Sequence, residues 1–202
     1  MLMHTLESAV KEGRIDKSHH DRLLVGLDGY TEKAGISPAH VFAPLKPTCD
    51  DLEIEWLKEF KSAFLHAFVR GFVFHGEFQP SVMDRMQHLC GWLLRNYVNG
   101  RVLLMHEVMT CLKEGEMPRA TVLLVPDFYV GRREARLIPD WQVGGLHGML
   151  LDRQAKRGIT MLGITHMARM EDAYGPAVAS YIAKHYQMTT GTLVPQPEKE
   201  TA

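Results

Sequence analysis

Two runs, Thr121-Val122-Leu123-Leu124-Val125 and Ile159-Thr160-Met161-Leu162-Gly163-Ile164-Thr165, carry apolar residues at nearly every position rather than at every second one. A strand with one face in water alternates apolar and polar side chains. A strand that does not alternate has to be covered on both faces, so these runs require a sheet enclosed between layers of helices. Between them, Pro139 or Asp140 starts a helix reaching Lys156, with Val143, Leu146, Met149 and Leu150 facing inward. A strand, a helix and a second buried strand form a crossover unit, which pairs its strands in parallel.

The neighbouring segments extend the series. Asp50 or Asp51 caps a helix running through Arg70, with Ile54, Leu57, Phe60, Phe64, Leu65 and Phe68 on its apolar side, and Gly71 ends it. Phe72-Val73-Phe74 reads as a short strand and Ser81 through Val98 as a helix burying Met83, Met86, Leu89, Cys90, Leu93, Leu94 and Tyr97. Arg101 through Met105 reads as a strand, His106 to Lys113 as a helix closed by Gly115, Met170 to His185 as the last helix and Gln187–Thr190 as a final strand. The fold expected is α/β: a doubly wound, mostly parallel five-stranded sheet flanked by helices. Residues 1–49 form a small helical segment and connector ahead of it, with Leu6, Val10, Ile15, Leu23, Leu24 and Leu27 lining short helices and prolines at 38, 44 and 47. The polar stretch 191–202, with Pro195 and Pro197, reads as a flexible tail.

Formal net charge is −1 and the sequence pI about 6.8, so no global field draws the chain to nucleic acid or to an anionic membrane. There is no signal-peptide pattern and no run of about eighteen apolar residues, which points to a cytoplasmic protein with no membrane partner. Cys49, Cys90 and Cys111 are scattered and odd in number, as suits reduced thiols.

In doubly wound sheets ligands bind beyond the carboxyl ends of the strands. Those ends are His75-Gly76-Glu77-Phe78-Gln79-Pro80-Ser81-Val82-Met83, then Pro126-Asp127-Phe128-Tyr129, then Thr165-His166-Met167. Their order and spacing over residues 50–190 resemble the core of AAA+ ATPases, the compact helicase-loader and IstB-like branch above all. A phosphate-binding loop needs closely spaced glycines, a Lys for the β/γ charges and a Ser/Thr hydroxyl for Mg²⁺. On the alignment that the resemblance implies, Gly76 is kept, Val82 and Met83 occupy the Lys and Ser/Thr positions, and Glu77 adds negative charge. Asp127 resembles the Mg²⁺-associated carboxylate, Phe128 stands where the catalytic Glu belongs, and His166 falls at the polar sensor position. No cofactor is expected.

Each of these residues also has a plainer reading. Asp127 after a proline is often a turn former, and His166 is more often a strand-end histidine than a ligand or sensor. His19, His20, His66, His75 and His88 lack the spacing of a metal site. Arg132, Arg133 and Arg136 follow the third strand in a loop shared with Tyr129 and Trp141. Arginines beside aromatics suit a protein partner, self-association or a phosphate backbone with stacked bases, whereas Glu134 and water suit a solvated loop. Two functions stand. One is a non-catalytic AAA+-like protein acting through protein contacts, with DNA as a second partner, in replication, maintenance or mobile-element biology, as the resemblance implies. The other is an enzyme or small-ligand binder using the crevice around His75, Asp127, Tyr129 and His166, although no catalytic motif such as G-x-S-x-G occurs.

Overall fold

Alternate residues of each strand reach opposite faces of a sheet, so an uninterrupted apolar run feeds two cores at once. The computed structural model describes residues 17–63, 71–131 and 139–191. Helices α1 (Lys17–Val25), α2 (Leu27–Ala34), α3 (Pro38–Phe42) and α4 (Asp51–Ala63) come first. The chain then alternates β1 (Gly71–His75), α5 (Val82–Arg95), β2 (Gly100–Val102), α6 (Met105–Lys113), β3 (Val122–Tyr129), α7 (Asp140–Ala155), β4 (Ile159–Ile164), α8 (Met167–His185) and β5 (Tyr186–Thr190). The five strands pair in parallel in the order β2-β3-β4-β1-β5. This is the doubly wound α/β sheet expected from the sequence.

The two-sided burial follows the sequence residue by residue. Phe72, Phe74, Val122, Leu124 and Met161 enter one core, with Trp56, Leu57 and Phe60 of α4, Met86, Leu89 and Leu93 of α5, and Leu23, Val41 and Phe42 of the preceding helices. Val73, Leu123, Val125, Leu162 and Ile164 enter the other, with Val108 of α6, Leu146 and Met149 of α7, and Tyr174, Val178 and Ile182 of α8. The N-terminal helices thus share the first core. Helix α3 lies so close to α5 that a Cβ at Gly91 would stand 2.2 Å from the His40 carbonyl oxygen, a contact only glycine permits.

Several boundaries differ from the sequence reading. The strand expected over Arg101–Met105 is only Gly100–Val102, because the N–H of Leu104 goes to Glu107 Oε2 at 2.7 Å and α6 starts at Met105. The third strand does not stop at Pro126-Asp127. It continues to Tyr129 through a shift of register between Val125 and Tyr129, where the missing proline N–H breaks no ladder bond. Helix α5 ends at Arg95, short of Val98, which leaves Tyr97 58% exposed rather than buried, and α8 starts at Met167 with a break at Gly175 (φ 79). Trp56, absent from the expected apolar side of α4, is buried against Phe60 and Phe72. Phe64, Leu65 and Phe68 lie outside the described residues, as do residues 1–16, with Leu6, Val10 and Ile15, and most of the tail expected over 191–202. Among the described residues no helix is long and apolar enough to cross a membrane.

Leu123, Leu124 and Leu162 are fully buried and Ile164 is 1% exposed. Leu124→Ala is expected to lower stability by about 2–5 kcal/mol, the usual cost of a cavity in a packed core. Urea unfolding followed by far-UV circular dichroism measures it, and a loss below about 1 kcal/mol contradicts burial on both faces.

Candidate functional site at the carboxyl ends of the strands

The segment between β1 and α5, where the resemblance puts a phosphate loop, is held as a clamp. Gly76 (φ 99) donates its N–H to the Ile164 carbonyl at 2.9 Å, tying the start of the segment to the end of β4. Phe78 turns into the core, edge-on to Phe74 at 5.5 Å. Ser81 caps α5, its Oγ accepting from the Asp84 N–H at 3.2 Å. Val82 and Met83, expected from the resemblance at the Lys and Ser/Thr positions, are apolar side chains packed against the core.

Beneath this segment lies Arg85, 4% exposed. Its Nη1 donates to Glu53 Oε1 and to Asp50 Oδ2, both at 2.8 Å. Its Nε and Nη2 donate to the carbonyls of Pro80 (3.0 Å) and Gln79 (3.2 Å), and the guanidinium lies over the Phe78 ring at 5.1 Å. A phosphate loop directs backbone N–H groups toward an anion, whereas two carbonyls here point at a buried cation. That cation is itself matched by two carboxylates. Burial pushes the Glu53 carboxyl above the usual glutamate range, against the pull of Arg85 and of the Asp50 N–H on its Oε2.

Asp127 sits inside β3 rather than in a turn after it. Its Oδ1 accepts the Met105 N–H at 2.7 Å, so the carboxylate caps the first turn of α6. Phe128 is fully buried, its ring edge-on to Tyr174, whose hydroxyl donates to the Phe128 carbonyl at 2.7 Å. At this bulge the strands close up, and a Cβ at Gly163 would lie 2.0 Å from the Pro126 carbonyl oxygen.

At the end of β4, Thr165 Oγ1 accepts from the Gly131 N–H at 2.9 Å and donates to the Tyr129 carbonyl at 3.2 Å. His166 stands half-buried at the N-cap of α8, and His75 ends the adjacent strand. Burial holds His75 below the usual histidine range, and the nearby His166 adds to the shift. Tyr129 is buried, edge-on to Tyr174 at 5.7 Å, which leaves little of its ring for a partner. Arg132, Arg133 and Arg136 lie outside the described residues. The described residues flanking them expose apolar surface at Val130 (46%) and Trp141 (57%). His88 is turned to the Asp84 carbonyl and Thr48, while His66 and the side chains of His19 and His20 are outside the described residues. Among the described residues no three His, Cys, Asp or Glu side chains group as metal ligands.

The structure therefore brings Gly76, Asp127 and His166 to one end of the sheet, with Val82 and Met83 just behind. Arg85 and its two carboxylates escape the sequence reading. They are 32 and 35 residues apart, and acidic residues opening a helix ordinarily signal only a cap.

No family model and no curated protein matches this sequence. Solved structures do match in fold. A DnaC helicase loader aligns over 77% of this chain and 100% of its own, with TM-score 0.53 and 14% identity. DnaI aligns over 80% and 93%, with TM-score 0.56 and 12% identity. A DNA replication initiation factor aligns over 77% of this chain and 50% of its own, with TM-score 0.52 and 10% identity. The resemblance to the AAA+ helicase-loader core that the strand ends carry is thus a likeness of fold.

Arg85→Met is expected to lower stability by about 3–5 kcal/mol at pH 8, because it leaves the Glu53 charge buried without its partner. With its folded-state pKa raised above the ordinary 4.5, Glu53 favours folding most when protonated, and that contribution fades as pH rises through the folded-state value. Losing the pull of Arg85 raises that value further. The deficit of the variant should therefore shrink as pH falls toward 5, and urea midpoints measured across pH test this.

Proposed function

We propose that this is a non-catalytic AAA+-like protein that acts by contacting other proteins, with DNA as a second partner, in DNA replication, maintenance or mobile-element biology. The observation that carries the reading is the clamp on the β1–α5 segment. Productive ATP·Mg²⁺ binding calls for a cation at the β/γ-phosphates, a hydroxyl on the metal and inward backbone N–H groups. Here Val82 and Met83 supply neither side chain, and the Gln79 and Pro80 carbonyls face Arg85. The Arg85 charge is matched by Glu53 and Asp50, and the exposed Glu77 beside it repels polyphosphate. The likeness in fold to helicase loaders supports a replicative helicase as the first partner to examine. The contact surface we assign is the segment of Arg132, Arg133 and Arg136 with the exposed Val130 and Trp141 beside it, since loops leaving buried strands are where a rigid sheet presents binding residues.

Calorimetry with ATP and Mg²⁺ is expected to give no binding heat at micromolar nucleotide, and turnover to be absent. Size-exclusion chromatography is expected to show co-elution with a replicative helicase, lost in the variant R132E/R133E/R136E/W141A. Micromolar affinity, or turnover that Asp127→Asn abolishes, overturns the non-catalytic reading. Co-elution unchanged by the variant overturns the assigned surface.

A further inference from the structure

At the opposite end of the sheet, where β2, β3 and β4 begin, the segments following α6 and α7 enclose an open cleft of about 970 Å³. Its walls carry Arg101, Arg119, Arg153, Lys156 and Arg157 against only Glu116 and Asp152. Asp152 is held by Lys156 at 2.8 Å, so four arginines face one remaining carboxylate. In a chain of net charge −1 this is a local concentration of positive charge. Among the described residues none of the four makes an ion pair.

Arg153 forms the floor. It is 5% exposed, and its guanidinium donates to the carbonyls of Pro118 (3.1 Å), Ala120 (3.1 Å) and Ile159 (2.6 Å) and to Thr160 Oγ1 (3.0 Å). One side chain thus pins the wall before β3 to the start of β4, and its buried charge makes no ion pair, with Asp152 acting on it only from a distance. Burial pushes that guanidinium down to about 10. The carboxyl ends of α6 and α7 point here too, and helix dipoles alone would favour a cation or two. Four arginines exceed that requirement. Arg157 even takes a left-handed conformation (φ 57), which a side chain of its kind seldom adopts.

We propose that this cleft binds closely spaced phosphate groups, those of a nucleic-acid backbone or of a free polyphosphate. Arg101, Arg119 and Arg157 are the contacting residues, and Arg153 is the positioning residue beneath them. No aromatic side chain lines the cleft, so bases have nothing to stack on and recognition is by charge rather than by sequence. The site is separate from the carboxyl-end segment and does not depend on the function proposed above.

The test uses the full chain, a fluorescent oligothymidylate of about 20 nucleotides, longer than one site of this kind, and sodium tripolyphosphate. Anisotropy with the oligonucleotide and calorimetry with tripolyphosphate are run on wild type and on R101Q/R119Q/R157N, in which asparagine suits the left-handed position. The variant is expected to lose about tenfold or more in affinity, and its log–log salt dependence to flatten by about 2, as three single-strand phosphate contacts imply. R119Q/R157N, which leaves the half-buried Arg101 in place, is expected to fall between the two and guards against a folding defect in the triple variant. Oligonucleotide binding that tripolyphosphate displaces only weakly identifies a nucleic-acid backbone, whereas tripolyphosphate binding that the variant loses, with little affinity for the oligonucleotide, identifies a free polyphosphate. The proposal is overturned if wild type binds neither probe, or if both cleft variants keep wild-type affinity and salt slope while R132Q/R133Q/R136Q loses them.

Discussion

A parallel sheet buried on both faces leaves charged groups only the ends of its strands, and the rest of this molecule follows from that constraint. Desolvating an ion costs several kcal/mol unless partners replace its water, on the order of the whole stability of a domain. The buried ions Arg85, Glu53, Arg95 and Arg153 accordingly sit near the ends of helices that cover the sheet, and each has backbone carbonyls, an N–H or a counter-charge within hydrogen-bond reach. The interior strands hold none. Thr160 is the buried polar side chain on β4, and its hydroxyl is taken by Arg153.

Those ions determine what each strand end can do. At the carboxyl end Arg85 is enclosed by two carboxylates and two carbonyls, so its charge is satisfied internally and exerts little pull on an outside anion. At the amino end Arg153 is enclosed by carbonyls and one hydroxyl, which complete its hydrogen bonds but pair its charge with no bonded carboxylate. Two buried arginines of similar exposure thus create opposite surroundings. The difference lies in whether the nearest oxygens belong to carboxylates or to peptide groups.

The strands were legible in the sequence because two-sided burial removes every polar position from them, as in Leu123-Leu124-Val125 and Met161-Leu162. Pro126-Asp127 misled for a physical reason: in most contexts that pair ends a strand, but a bulge accommodates both residues and lets β3 run to Tyr129. Leu104 misled in the other direction, since an apolar residue at a helix start carries no cap signature and Glu107 supplies the acceptor instead. Gly76 and His166 fall just beyond strand ends, as expected, because topology fixes where strand ends meet. The Arg85 clamp was not legible, because Glu53 and Arg85 become neighbours only when α4 and α5 cover the same face, and neither carries a local mark of burial.

Asp127 shows how a site-like residue is held by structural interactions within the chain. The carboxylate meets the first free N–H of α6 at 2.7 Å and the positive end of that helix. Capping interactions of this kind are worth about 0.5–2 kcal/mol, enough to hold an aspartate at this position without a metal ion. The strand bulge, Gly163 against the Pro126 carbonyl and Tyr174 on the Phe128 carbonyl then fix the direction in which the carboxylate points. An aspartate at the end of a central strand is therefore not by itself evidence of phosphate chemistry in a fold of this type. In the β1–α5 segment the polar groups are engaged within the chain: the Gly76 N–H on the Ile164 carbonyl, the Gln79 and Pro80 carbonyls on Arg85 and the Ser81 hydroxyl on Asp84.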